Sequence, residues 1–317
     1  MVFYAYLDPH VIAAAKSAGP LGLQCLIGIL RGFLQNCFLA DFDDYRLEAE
    51  FRKQVEALPE DKNRADIKKL LAMLKKRKRF IHCLAGDYTE NKDDITLVLE
   101  QADREALDVV LTRTTVVCEK SQAEITSIET YQNSIFEGRR SQLASEGACY
   151  SEGELPEVEF FNRNFRKALR TAERIEICDK LFGSKFKDNF EYTAKCFLSW
   201  LEDELAQPES CSLTFHCGKP DGQTDAHIQA CLKAFRKGRL SSMKIDVQFY
   251  QLGGSACLPH ERFIKTDQIA LNIGRGMDML NKHSGRNRDM AISIKSESEV
   301  QSVMDSYKEA KLSRISV

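Results

Sequence analysis

Short β-branched and aromatic runs alternate with amphipathic helical stretches along the whole chain, and that alternation constrains the fold most. Residues 2–7 read as a strand, which Asp8-Pro9-His10 ends, and Val11 to Ala18 as a helix. Leu21 to Phe38 has helical spacing despite its glycines. Arg46 to Leu58 and Arg64 to Arg79 are charged, amphipathic helices. Phe80 to Leu84 is a strand, Asp94 to Leu107 a helix and Val109 to Cys118 a strand. A second series follows: helix at 161–171, strand at 174–178, helix at 190–205, strand at 212–217, helix at 225–236 and strand at 245–252. Next come a hairpin-like pair at 263–266 and 268–273 and a polar helix at 298–312. Strands alternating with helices predict an α/β fold.

The chain has 317 residues, which at ~150 per domain suggests two domains. Residues 138–157 are small, polar and rich in chain breakers, so they are expected to link a domain at 1–137 to one at 158–317. No apolar run approaches the roughly 18 residues that span a membrane. Leu21 to Leu30 is the longest, and Gly22, Gln24 and Gly28 interrupt it. Met1-Val2-Phe3-Tyr4 has no basic region and no cleavage site, so no signal peptide is expected. The 11 cysteines are an odd number without a CxxC pair, and most sit in apolar runs. They read as buried, reduced thiols in a cytoplasmic protein. Net charge is −2, but residues 211–317 hold 16 Lys and Arg against 11 Asp and Glu. The second half is therefore expected to face an anion.

The chemistry-bearing stretch runs His260-Glu-Arg262-Phe-Ile-Lys-Thr-Asp267, then Gln-Ile-Ala-Leu-Asn-Ile-Gly274-Arg275-Gly276-Met277-Asp278. In a strand, residues i and i+2 share a face, so His260 and Arg262 address one pocket. A neutral imidazole attacks a phosphodiester, and a guanidinium holds the equatorial oxygens. Gly274 and Gly276 allow backbone to approach an oxyanion, although a turn or bulge accounts for the same glycines.

The spacing H-x-R-x4-D-x6-G resembles the phospholipase D superfamily, with Arg262 where Lys is usual and Arg275 where a small polar residue is usual. It is closer still to the phospholipase D-like C-terminal domain of MIT-domain-containing proteins, which carry His-x-Arg and then Ile-Gly-Arg-Gly-x-Asp. The resemblance covers roughly residues 158–295. It implies a mixed sheet flanked by helices, catalytic His260, Arg262 and Asp267, and phosphate held by Arg262, Gly274, Arg275 and Gly276. Members need a second histidine for the leaving oxygen, and this chain carries one motif, so activity implies a homodimer through the C-terminal domain. That site requires no cofactor. Three readings stay open: a working nucleophile, anion binding without turnover, and coincidence.

The first half has its own acids. Asp8 ends the first strand, Asp41, Asp43 and Asp44 follow a helix, Asp93 and Asp94 open another, and Asp108 precedes Val-Val-Leu-Thr112. This order resembles PIN-like nuclease domains and implies Mg²⁺ or Mn²⁺ held by Asp8, Asp44, Asp94 and Asp108. Arg113, Thr114 and Thr115 stand where many such domains place another acid. Asp8 also reads as a turn residue before Pro9, and Asp94 as a helix cap. The run Lys75-Lys-Arg-Lys-Arg79 reads as a solvated helix end or as a contact for nucleic acid or an anionic membrane. His82, His216, His227 and His283 have no metal-ligand spacing and read as structural. Taken together, the expected function is phosphodiester recognition by a nuclease-like protein acting on nucleic acid, in a prokaryotic defence or mobile-element setting by analogy alone. The alternative is a non-catalytic adaptor that binds a phosphate or an anionic lipid head group.

Overall fold

The computed structural model describes residues 1–42, 46–83, 95–113, 121–151, 154–180, 191–218, 224–251, 261–274, 289–307 and 311–317. The chain divides into two units, Val2–Ser145 and Glu146–Val317, the latter grouped with Met1. Both are α/β, each built around its own sheet.

The first unit runs β1 (Phe3–Leu7), α1 (Val11–Ser17), α2 (Gly19–Asn36), β2 (Cys37–Asp41), α3 (Leu47–Glu56), α4 (Lys62–Lys76) and β3 (Phe80–His82). It continues with α5 (Ile95–Arg104), β4 (Val109–Thr112), β5 (Glu124–Ser127) and α6 (Ile135–Ser145). The strands form a five-stranded parallel sheet in the order β3-β2-β1-β4-β5. Alternation along β1 sends Phe3, Ala5 and Leu7 into the core that α2, α3 and α4 line with Leu26, Phe33, Phe51 and Ile67. A Cβ on Gly22 would collide with the Ala15 carbonyl, so that glycine lets α1 and α2 touch. The helical reading of residues 21–38 needs correction at its end. Cys37 and Phe38 leave the helix and begin a fully buried strand, because a short apolar run fits either periodicity.

Two arginines secure the C-terminal end of α2. Arg79 stacks over Phe38 at 5.0 Å and donates to the Leu34 carbonyl at 3.4 Å. Arg140 of α6 donates to the Gly32 carbonyl and to the Asn36 side chain, both at 3.1 Å. Its Nε meets Glu137 at 2.7 Å. These bonds satisfy carbonyls that a helix end leaves open.

The second unit begins with β6 (Ala148–Ser151), α7 (Glu157–Asn164), α8 (Arg166–Leu169), β7 (Arg174–Cys178), α9 (Tyr192–Glu204), β8 (Ser212–Gly218), α10 (Asp225–Phe235) and β9 (Lys244–Tyr250). Then follow β10 (Phe263–Thr266), β11 (Ala270–Ile273), β12 (Asp289–Lys295), α11 (Glu297–Ser306) and β13 (Lys311–Ser316). The mixed eight-stranded sheet has the order β13-β9-β8-β7-β10-β11-β12-β6, with β7, β8 and β9 parallel and every other pairing antiparallel. One face carries Ile177, Phe215, Val247 and Ile264 in register. The opposite face carries Glu176, His216, Gln248 and Lys265, and α11 packs there through Val300, Met304 and Tyr307.

The expected linker at 138–157 is structured at both ends. Residues 138–145 belong to α6, and β6 pairs with β12 at the sheet edge. The polar helix ends at Ser306, and β13 pairs with β9. No helix among the described residues is long and apolar enough to cross a membrane.

Candidate functional site

The register of β10 on β7 places the motif arginine. Phe263 pairs with Cys178, so the next pair outward is Arg262 and Asp179. Arg262 Nε stands 3.3 Å from Asp179 Oδ1, with the side chains 15% and 1% exposed. The Asp179 N–H donates to the His216 carbonyl at 3.0 Å, which fixes the carboxylate just beyond β7. The parallel strands β7, β8 and β9 all end at this edge, where open α/β sheets bind ligands. Sequence reading missed Asp179. Its only signal was an acid directly after a predicted strand, and many acids in this chain would satisfy that.

The rest of the motif separates. Asp267 lies in the β10–β11 turn, roughly 16 Å along the strand from Arg262 at ~3.3 Å per residue. There it accepts the N–H groups of Glu173 at 3.1 Å and Arg174 at 3.4 Å, tying the turn to the start of β7. The expectation that Asp267 joins the catalytic group is therefore corrected: its place in the described structure is in the turn. The Gly274 N–H donates to the Ala291 carbonyl at 2.9 Å. A Cβ there would stand 3.2 Å from that oxygen, so strand pairing already accounts for the glycine. His260, Arg275 and Gly276 lie outside the described residues.

Behind this edge, on the face under α11, His216 Nδ1 lies 2.8 Å from the Tyr250 hydroxyl. Burial, with Lys265 and Lys311 nearby, pulls the imidazole down to about 4, so it is neutral near pH 7. Lys265 and Glu176 pair at 3.8 Å. Burial pushes the Cys178 thiol up to about 12 and Cys217 well above its ordinary value, which makes poor nucleophiles of both.

In the first unit, the Asp8 N–H donates to the Leu111 carbonyl at 3.0 Å, placing Asp8 at the carboxyl edge of the sheet. Its Oδ1 accepts the His10 N–H at 2.9 Å, an Asx turn ahead of α1. Its Oδ2 lies 3.6 Å from Arg113 Nε. Asp41, 4% exposed, ends the neighbouring strand at the same edge. Asp108 lies at the other edge. It precedes β4, accepts the Tyr4 N–H at 2.8 Å and donates its own N–H to the Tyr4 carbonyl at 2.8 Å. The expected convergence of Asp8 and Asp108 is corrected accordingly, since β1 and β4 run parallel and one residue follows its strand while the other precedes it. Asp44 and Asp94 lie outside the described residues. Among the described residues no three His, Cys, Asp or Glu side chains gather as a metal site.

Compared with known proteins, the sequence matches no family model and no curated protein.

Proposed function

We propose that this chain recognises phosphodiesters and acts on nucleic acid as a nuclease-like protein. The observation that carries the reading is Arg262, ion-paired with buried Asp179 at the edge where β7, β8 and β9 end. A buried carboxylate that fixes a guanidinium lowers the ordering cost of binding phosphate oxygens. In this reading His260 attacks phosphorus and the P–O bond to the leaving group breaks. The histidine of a second copy gives the leaving oxygen its proton, and water then cleaves the phosphohistidine. Arg275 and Gly276 would complete the phosphate contacts. The nine described cysteines are free, which supports a reducing, cytoplasmic setting. In this reading Mg²⁺ or Mn²⁺ would be held in the first unit by Asp8, Asp44 and Asp94.

Cleavage of labelled DNA and RNA by the purified full chain, with Mg²⁺, with Mn²⁺ and with EDTA, tests the proposal. The histidine route requires cleavage that persists in EDTA and is lost in His260→Ala. No cleavage under any of these conditions overturns it.

The Asp8–Arg113 pair favours a second reading, because a carboxylate already facing a guanidinium is a weaker metal ligand. There the chain is a non-catalytic adaptor that holds a phosphate or anionic head group through Arg262 and Arg275. Vesicle binding that Arg262→Ala abolishes, with no nuclease activity, distinguishes it.

A further inference from the structure

The outer face of α4 differs from its neighbours in charge. Its buried side holds Ile67, Leu70 and Leu74. Its exposed positions between Lys62 and Lys76 are Lys62, Ala65, Lys68, Lys69, Ala72, Lys75 and Lys76. At 3.6 residues per turn they fall within an arc of roughly 140°, and between Lys62 and Lys76 no acid lies on it, the N-cap Asp61 standing at its start. A solvated helix normally interleaves opposite charges, as α3 does with Glu48–Arg52 and Glu50–Lys53.

The seven positions repeat every seven residues. Lys62, Lys69 and Lys76 form one row and Lys68 and Lys75 another, with Ala65 and Ala72 between them. Lysines within a row are about 10.5 Å apart at 1.5 Å rise per residue. That exceeds a Debye length of ~8 Å at physiological salt, so repulsion along each row is largely screened. Lys75 is paired with Glu48 at 2.7 Å. Lys62, Lys68, Lys69 and Lys76 have no ion-pair partner among the described residues.

We infer that this face holds a nucleic-acid backbone. The alanines make a low floor, and the lysine rows stand on either side of it. The longer row covers about 21 Å, close to six base-pair steps at ~3.4 Å rise along a duplex axis. A membrane fits less well, because the apolar side of α4 is spent on the core and the outer face has only two methyl groups to insert. The inference rests on the reading of the chain as a phosphodiester-recognising protein and adds where the polymer lies.

Fluorescence anisotropy of the full chain with labelled 30-mer duplex DNA, single-stranded DNA and RNA tests it across a salt series. The variant replaces Lys62, Lys68, Lys69 and Lys76 with Gln, and thermal unfolding confirms that it folds. Each lost phosphate contact should flatten the log K against log salt slope by ~0.9 on duplex, so by about 3–4 in all, with affinity at least about tenfold weaker at low salt. If wild type binds and the variant binds equally with the same slope, the face is not the contact, while the functional proposal stands. If wild type binds none of the oligonucleotides, both fall. If the variant loses anionic vesicles but keeps oligonucleotides, the nucleic-acid assignment is overturned. Ala72→Glu, which puts an acid on the floor and keeps every lysine, should weaken binding too, and unchanged binding would count against the floor.

Discussion

Arg262 and Asp179 meet at 3.3 Å across the β7–β10 pairing, the carboxylate enclosed and the guanidinium partly open to solvent. Removing the cation breaks an ion pair to a buried carboxylate, which typically costs about 3–5 kcal/mol. Arg262→Met should therefore destabilise the second unit by about 3 kcal/mol in urea unfolding, and Asp179→Asn by less. Arg262→Lys should recover part of the stability but not the oligonucleotide affinity, because a lysine lacks the two-pronged donor.

His216 makes stability depend on pH. Burial lowers its folded value from 6.5 to about 4, so the unfolded chain binds the proton first as pH falls. The contribution is complete above pH 6.5, declines below it and is gone near pH 4. Over the whole window it amounts to about 3 kcal/mol at ~1.4 kcal/mol per pH unit. Urea midpoints at pH 7, 5.5 and 4.5 should fall more steeply for wild type than for His216→Gln. Equal slopes would show that His216 does not carry the effect.

Asp8 and Asp108 should behave differently although both precede or follow strands of one sheet. Asp108→Asn weakens the bond to the Tyr4 N–H and should cost about 1 kcal/mol. It should leave any metal-stimulated cleavage unchanged. Asp8→Ala should lower metal-stimulated cleavage. A parallel loss in Asp108→Asn, at matched stability, would contradict the separation of the two edges.

Asp267→Ala gives the same kind of split in the second unit. It removes the acceptor for the Glu173 and Arg174 N–H groups and should destabilise by about 1–2 kcal/mol. Oligonucleotide affinity measured well below the unfolding temperature should not change. Loss of affinity in the folded variant would return Asp267 to the candidate site.

Arg140 sends donors to three separate acceptors around the end of α2, so charge alone should not replace it. Arg140→Lys should still cost about 2 kcal/mol, since a single ammonium cannot span them. Calorimetry of the variant against wild type measures this.

β1, β7, β8 and β9 lie where their β-branched, aromatic and apolar residues predicted strands. Two of the elements that sequence reading missed depend on partners far away in the chain. Ala148–Ser151 sits in a breaker-rich stretch and becomes a strand because Asp289–Ile292 lies beside it. Lys311–Ser316 is too polar to stand out, yet Arg314 and Ser316 both reach Asp246 of β9 at 2.5 Å. Arg262 was legible because its motif is local. Asp179 was not, because it arrives from another strand. The edge that Asp108 occupies follows from the parallel pairing of β1 with β4, which spacing alone does not disclose.

The pairing of β6 with β12 also sets an order of events during synthesis. Ser151 and Asp289, which hydrogen-bond in the finished sheet, are 138 residues apart. At ~5–20 residues per second, a ribosome takes roughly 7 to 28 s between them. For that interval β6 is outside the exit tunnel with no strand to join, exposed to other nascent chains. Its four residues, half-polar and short, offer them little to extend.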